Sequence, residues 1–365
     1  MFLWEQPGWP RFRWQASRLL EPLAMVRFKQ GRLLGGMARL GANLSLDAQI
    51  EALTATAVKS AEIEGEVLDP SRVRSSVAYR LGLAPAATSV DRQTDDFVAM
   101  TLDATDNFRA PLTARRLFGW QAALFPSGFS GPNRVKTGAW RDDLDGPMQV
   151  VSGQAGHRRV HFQPPPAQRL EAEIRQFLDW FGRTDEPEGL LRAGLAHLWF
   201  VTIHPFEDGN GRVARAVTDL ALAQSEGSGQ RFYSLSSQIR QERQDYYEML
   251  EQTQKGGLDV TDWLLWFLGC FSRAIEAAEV AGAPLTQKAD VWRRYAREPV
   301  TERQMNVLNQ LMAETGREVT AKRWAALGQC SVPTAQRDIN DLLARGILRR
   351  NPGGSKNTSY EISAL

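Results

Sequence analysis

The sequence predicts a mainly α-helical protein with one small β-hairpin and a C-terminal α/β module. Three observations carry this. Between about residue 18 and residue 281 apolar residues recur mostly at helical spacing. Residues 147–162 (PMQVVSGQAGHRRVHF) break that pattern with two β-prone runs, 148–151 and 159–162, around a glycine-containing loop. After residue 300 short helical runs give way to two short β-prone runs separated by turn residues.

Taken in order, residues 1–45 are rich in Trp, Arg and Gly, with Trp4, Trp9 and Trp14 close together. They predict an aromatic-anchored cap leading into a helix from about Arg18. Residues 46–80 predict a helix, a break from Gly65 to Pro70, and a second helix. Asp69-Pro70-Ser71 supplies that second start, because an Asp cap before a Pro satisfies free N–H groups and presets φ. Small residues at 84–89 read as a linker. Residues 91–108 and 113–124 have helical apolar spacing, and Pro164 to Pro166 end the hairpin. Helical pattern resumes over 171–281, broken at 204–211 and 227–229. Further on, 301–312, 321–327 and 333–345 read as helices, with a turn at Gly328. Strands are expected at 347–350 and 359–362. There is no internal repeat and no long low-complexity segment.

Bulk composition narrows the function classes. The chain has 365 residues, 43% hydrophobic and 24% charged, with a net charge of +2. That charge leaves no global nucleic-acid or membrane footprint. Cys270 and Cys330 fit no CxxC spacing, so neither a disulfide nor a metal site is expected of them. The run WLLWFLGCF is too short to span a bilayer, and the N-terminus lacks a basic-then-apolar signal layout. A cytoplasmic location is the expectation.

Residues 204–215 read HPFEDGNGRVAR and concentrate the parts that phosphate chemistry uses. The apolar segment 194–203 and the segment from Arg212 both read as helix, so the string is a tight loop between two helices. Gly209-Asn210-Gly211 opens the second helix, where unpaired N–H groups form an anion nest. Arg212 and Arg215 lie three apart on one helix face and can grip one polyphosphate. Asp208 offers a hard oxygen for Mg²⁺, and His204 is the nearby group whose ordinary pKa suits a general base.

This string is similar to the Fic family motif, HPFx[D/E]GNGRxxR, at every specified position. The resemblance implies a Fic-type helical core with a small β-hairpin flap, and transfer of AMP from ATP to a hydroxyl of a target protein. It implies that His204 deprotonates a Ser, Thr or Tyr hydroxyl and that Asp208 holds Mg²⁺. By the same resemblance Gly209, Asn210, Gly211 and Arg212 hold the α/β-phosphates, Arg215 reaches the γ-phosphate, and Phe206 pins the loop. Ser60 to Gly65 (SAEIEG) resembles the family's inhibitory motif, which pairs Glu64 with Arg215; Ser60 and Glu64 are four apart and point the same way. The hairpin corresponds to the family's flap, with Met148, Gln149, Val150 and Val151 lining up an extended target segment by β-augmentation. Residues 244–251 resemble the helix lining the adenine pocket, with Tyr246 and Tyr247 as candidate base platforms. Gln254 stands where some relatives carry an Asn. His197 is expected to be a hydrogen-bonded core residue, and His157 and His161 are not expected to bind metal.

The last 69 residues, helix-turn-helix followed by a β-wing, resemble a winged-helix domain. The second helix mixes Arg337 and Arg345 with Asp338 and Asp341, so docking or dimer support is favoured over DNA binding. Three domains are expected: 1–88 with the inhibitory motif, 89–283 as the catalytic domain, and 297–365 as the winged helix. The functional expectation is an autoinhibited protein adenylyltransferase using ATP and Mg²⁺, with a hydroxyl-bearing target protein as partner. Homodimer formation stays open and no membrane partner is expected. The alternatives are transfer of another nucleotide, removal of AMP with Glu64 orienting water, and a DNA-binding regulator with a Fic sensor domain.

Overall fold

The structure, a computed structural model, describes residues 1–40, 42–83, 91–144, 146–152, 159–183, 187–295, 300–313, 319–352 and 358–363. The expected linker at 84–89, the hairpin loop with His157 and the wing tip with Lys356 lie outside these. Among the described residues helices dominate, and the strands form three two-stranded antiparallel pairs. Two compact units result: residues 1–35 with 46–279, and residues 36–45 with 280–365.

In the first unit the N-terminal segment is held by its aromatic residues. The Trp4 indole N–H donates to the Gln163 carbonyl at 2.7 Å, and that of Trp9 to Glu173 at 2.8 Å. Phe2 meets Phe162 edge-on with ring centroids 5.2 Å apart. Helix α1 (Ala16–Ala38) follows, then α2 (Ala42–Ile63). Helix α3 (Pro70–Arg80) starts at the expected cap, where the Asp69 carboxylate accepts from the Ser71 and Arg72 amides at 2.8 and 3.3 Å. Asp91 and Thr113 cap α4 (Arg92–Asp106) and α5 (Ala114–Leu124) in the same way.

Strands β1 (Phe129–Ser130) and β2 (Asn133–Arg134) were not expected, since two-residue strands carry no readable alternation. The expected hairpin forms from β3 (Val150–Ser152) and β4 (Arg159–Phe162). Its first strand is shorter than expected: Met148 and Gln149 precede it. Val150 pairs with Phe162, and beyond Phe162 come Gln163 and three prolines that have no N–H to continue a ladder.

Helices α6 (Ala167–Phe181), α7 (Gly189–Ile203), α8 (Asn210–Glu226), α9 (Leu235–Gln241), α10 (Arg243–Gln254) and the part of α11 (Thr261–Tyr295) up to residue 279 complete the unit's helical series. Helix α7 is apolar nearly all round and buried nearly all round, which makes it the unit's central helix. Helix α8 packs along it, α4 and α5 flank α8, and α6 covers α7. Helix α11 continues beyond Ala281 through Pro284, where the sequence pattern had ended it. Pro284 removes one helical N–H, which usually kinks or ends a helix, yet here the helix carries on past it.

The second unit holds α12 (Glu302–Ala313), α13 (Ala321–Leu327), α14 (Val332–Ala344), β5 (Leu348–Arg350) and β6 (Tyr360–Ile362). Val307, Leu311, Trp324, Ile339, Leu342 and Ile347 form its core. Asp338 is buried, accepts from both Arg303 donors at 2.8 and 3.0 Å and from Trp324, and therefore does not belong to the outer face of α14. Among the described residues no helix is long and apolar enough to cross a membrane.

Candidate active site

The loop between α7 and α8 is built by a strained turn and a polar clamp. His204 caps α7 in the left-handed region at φ 50° and ψ 60°, uncommon for a residue with a side chain. Its carbonyl accepts from Arg141 Nε at 2.8 Å, while the other Arg141 donors bind the Pro165 carbonyl and Asp143. Arg141, a residue that sequence reasoning passed over, thus holds the strained turn in place. Phe206 is fully buried against Trp140, Phe118 and Phe200, so it pins the loop as expected. The Asn210 side chain is spent on the loop itself: Oδ1 accepts from the Phe206 amide at 2.9 Å and Nδ2 donates to the Phe206 carbonyl at 2.8 Å.

His204 Nδ1 lies 3.3 Å from the Val201 carbonyl. A proton on Nδ1 donates there and leaves Nε2 as the basic nitrogen. Burial pushes the His204 pKa down to about 4, helped by the Arg141 guanidinium and opposed by the Val201 carbonyl, Glu64 and Asp208. The imidazole is therefore neutral at physiological pH. The two acidic residues of the loop separate by role. Glu207 accepts from the Lys136 amide at 2.8 Å, whereas the Asp208 side chain is 42% exposed and rests on the Gly209 amide and, at 3.5 Å, on Arg212.

Arg212 and Arg215 are both buried at the start of α8. Each retains a buried guanidinium nitrogen with no partner, Nε of Arg212 and Nη1 of Arg215. A buried cationic donor without a partner is costly, and an anion placed there would satisfy it. The N-terminal helix α2 closes over them. Arg215 donates to the Ser60 hydroxyl at 2.8 Å, to the Ser60 carbonyl at 2.9 Å and to the Glu64 carboxylate at 2.9 Å. Glu64 also lies against the glycine turn: a Cβ added at Gly211 would clash with Glu64 Oε1. Gly65 follows as the left-handed turn that ends the segment. Arg212 has its own carboxylate, Glu66, at 2.5 Å, a second residue that the sequence reading missed.

A cleft of about 490 Å³ is lined by Glu64, His204, Gly211, Tyr246, Tyr247, Glu251 and Gln254. Val150 and Val151 of the flap form one wall. The two tyrosines differ. Tyr246 is 2% exposed and its hydroxyl meets His197 Nε2 at 2.8 Å, while His197 Nδ1 meets Thr218 at 2.9 Å. Tyr247 is 40% exposed, with the Arg243 guanidinium 5.3 Å above its ring. Gln254 is buried and donates to Thr202 at 3.4 Å. The flap is fastened to α10 through His161 and Arg159, which meet Glu251 at 2.5 and 2.9 Å. No group of three or more potential metal ligands occurs among the described residues.

Comparison with known proteins agrees with this geometry. A profile of the Fic/DOC family matches residues 111–222, and one described as "Domain of unknown function (DUF4172)" matches residues 2–83. Protein adenylyltransferase Fic of Nematostella vectensis is 36% identical over 117 residues, 31% of this chain and 25% of that protein. A uridine 5'-monophosphate transferase of Xanthomonas campestris is 29% identical over 123 residues, 31% of this chain and 21% of that one. The chain thus spans about a quarter of the length of these curated relatives. Among solved structures, a Fic family protein from Desulfovibrio desulfuricans superposes with a TM-score of 0.58 at 19% identity, covering 99% of both chains. A Fic-domain signaling protein from Bacteroides thetaiotaomicron gives 0.50 at 16%, covering 75% of this chain and 97% of that one. The motif loop at 204–215 thus lies inside the segment, residues 111–222, that matches the Fic/DOC family, and the chain shares its helical fold with a solved Fic family protein along its length.

Proposed function

We propose that the chain is a protein adenylyltransferase, transferring AMP from ATP to a Ser, Thr or Tyr hydroxyl of a target protein. The observation that carries this is the pair of buried, incompletely partnered arginines, Arg212 and Arg215, at a glycine-opened helix start. Glu64, which holds Arg215, and Gly211 of the same helix start line a cleft with a neutral histidine, His204. ATP lies along the loop with its phosphates on the α8 amides, Arg212 and Arg215, and its base toward Tyr247. His204 Nε2 takes the hydroxyl proton as that oxygen bonds to the α-phosphorus. The bond from the α-phosphorus to the β-phosphate oxygen breaks and pyrophosphate departs. Asn210 acts through the loop: its side chain fixes the turn and its backbone N–H belongs to the helix start.

Asp208 fits Mg²⁺, since it sits at the start of α8 beside the Gly209 amide and Arg212, where the phosphates would lie, whereas Glu207 is exposed and accepts from the Lys136 amide. A single carboxylate with phosphate oxygens and water is an ordinary Mg²⁺ set, and the ion would neutralise phosphate charge there. Val150 and Val151 offer the flap surface to an extended target segment, as Val151 is 40% exposed. Autoinhibition rests on Glu64, whose carboxylate sits on the Arg215 donor that the γ-phosphate needs. The decisive experiment incubates the chain and its Glu64→Gly and His204→Ala variants with labelled ATP and lysate, followed by mass spectrometry. Labelling by Glu64→Gly that vanishes with His204→Ala is expected; labelling that survives His204→Ala refutes the base assignment.

A second reading has its own support. Gln254 is committed to Thr202, and the Xanthomonas campestris relative is described as a uridine monophosphate transferase. Competition of UTP, GTP and CTP against labelled ATP separates the two.

A further inference from the structure

Sequence comparison with the inhibitory motif stops at Gly65, but the inhibitory turn does not. Helix α2 ends at Ile63, and the Glu64, Gly65 and Glu66 amides donate back to Ala61, Glu62 and Ala61 at 3.0, 3.1 and 3.1 Å. Gly65 takes φ +83°, so the chain reverses instead of continuing the helix. In a helix Glu64 and Glu66 would face away from each other; across this left-handed turn both reach α8. Glu64 meets Arg215 at 2.9 Å and Glu66 meets Arg212 at 2.5 Å. Those arginines are three apart on one face, and both are nearly inaccessible to solvent.

We propose that Glu66 is a second inhibitory carboxylate, occupying Arg212 as Glu64 occupies Arg215. This rests on the nucleotide-transfer reading above. A phosphate needs the donors that both carboxylates hold, so it must displace both. The two sit on one turn of chain, and the same turn is fastened elsewhere. Arg243 Nε donates to the Ile63 carbonyl at 3.0 Å, and Arg240 lies 3.4 Å from Glu62. Removing Glu64 alone therefore leaves the turn docked through Glu66, and the site is only partly released. Release of both carboxylates frees two adjacent guanidiniums together, which makes opening an all-or-none event at this turn.

The test measures ATP affinity by calorimetry and labelled-AMP incorporation, on the full chain, for wild type, Glu64→Gly, Glu66→Ala and the double variant. Thermal melts accompany each. Glu66→Gln, which keeps an acceptor for the buried Arg212, serves if the alanine destabilises the fold. The expected result is tighter ATP binding in Glu66→Ala than in wild type, and roughly tenfold tighter binding in the double variant than in Glu64→Gly. Unchanged affinity on removing Glu66 in both backgrounds would overturn the proposal while leaving the Glu64 lock standing. Weaker affinity would overturn it too, by making Glu66 a support that Arg212 needs to bind phosphate. Tighter ATP binding with no AMP transferred by any variant would keep the double lock and sink the transferase reading.

Discussion

If His204 is the general base, its burial makes a quantitative claim about pH. An exposed histidine has a pKa near 6.5, and burial in this site, with Arg141 beside it, lowers that to about 4. A base works in its neutral form. At about pH 5.5 a histidine of pKa about 4 is about 97% neutral, whereas one of pKa 6.5 is only about 9% neutral. The difference is roughly tenfold in rate at that pH. The assay is kcat/KM for labelled-AMP incorporation between about pH 4.5 and 8 at constant ionic strength, because kcat/KM reports the free enzyme. Glu64→Gly is the useful background, since it exposes activity. It also removes a negative charge that raises the His204 pKa, so its acid limb should lie no higher than that of wild type. Activity nearly flat from neutrality down to about pH 5 is expected. An acid limb centred near 6.5 would refute the argument that this environment keeps the imidazole neutral.

Other outcomes follow from the same geometry. Asp208→Ala should weaken Mg²⁺-dependent ATP binding while Glu207→Ala, which frees only the Lys136 amide, leaves it nearly unchanged; a titration with the effects reversed would exchange the roles. Tyr247→Ala should cost about 1–3 kcal/mol of nucleotide affinity if its ring stacks on the base, and calorimetry showing no loss would remove it from the site. Tyr246→Phe should cost about 1 kcal/mol of folding stability by unpairing buried His197, with ATP affinity little changed. Glu64→Gly should raise AMP incorporation ten- to a hundredfold, a bias of about 1.4–2.8 kcal/mol, and Arg215→Ala should not mimic it.

How much of this was readable in the sequence depends on the range of the interactions. The loop at 204–215 was legible because its parts are local: a cap, a glycine-opened helix start and two arginines three apart carry their meaning within a few residues. The role of Arg141 was not legible. Its partners, the His204 and Pro165 carbonyls, are backbone atoms far away in sequence, and no spacing announces them. Glu66 escaped for a different reason. It falls in the expected break from Gly65 to Pro70, where no periodicity says which way a side chain points, and only the left-handed φ of Gly65 turns it inward.

The tyrosine pair shows a signal that was present and could have been used. On α10 the buried positions are Tyr246, Leu250 and Gln254, an i, i+4, i+8 stripe. That stripe assigns Tyr246 to the packed side, at the inner wall of the cleft, and leaves Tyr247, one residue or about 100° further round, the exposed ring of the two. The same stripe accounts for Gln254. It lies on the packed side, its amide is taken by Thr202, and its substitution for an asparagine changes first how α10 is seated against α7. On the proposed reading, base preference would depend on how α7 and α10 pack as much as on any group that touches the base. A Gln254→Asn exchange should consequently alter thermal stability along with nucleotide choice. A variant that changed nucleotide choice with an unaltered melting temperature would show that residue 254 acts on the base alone.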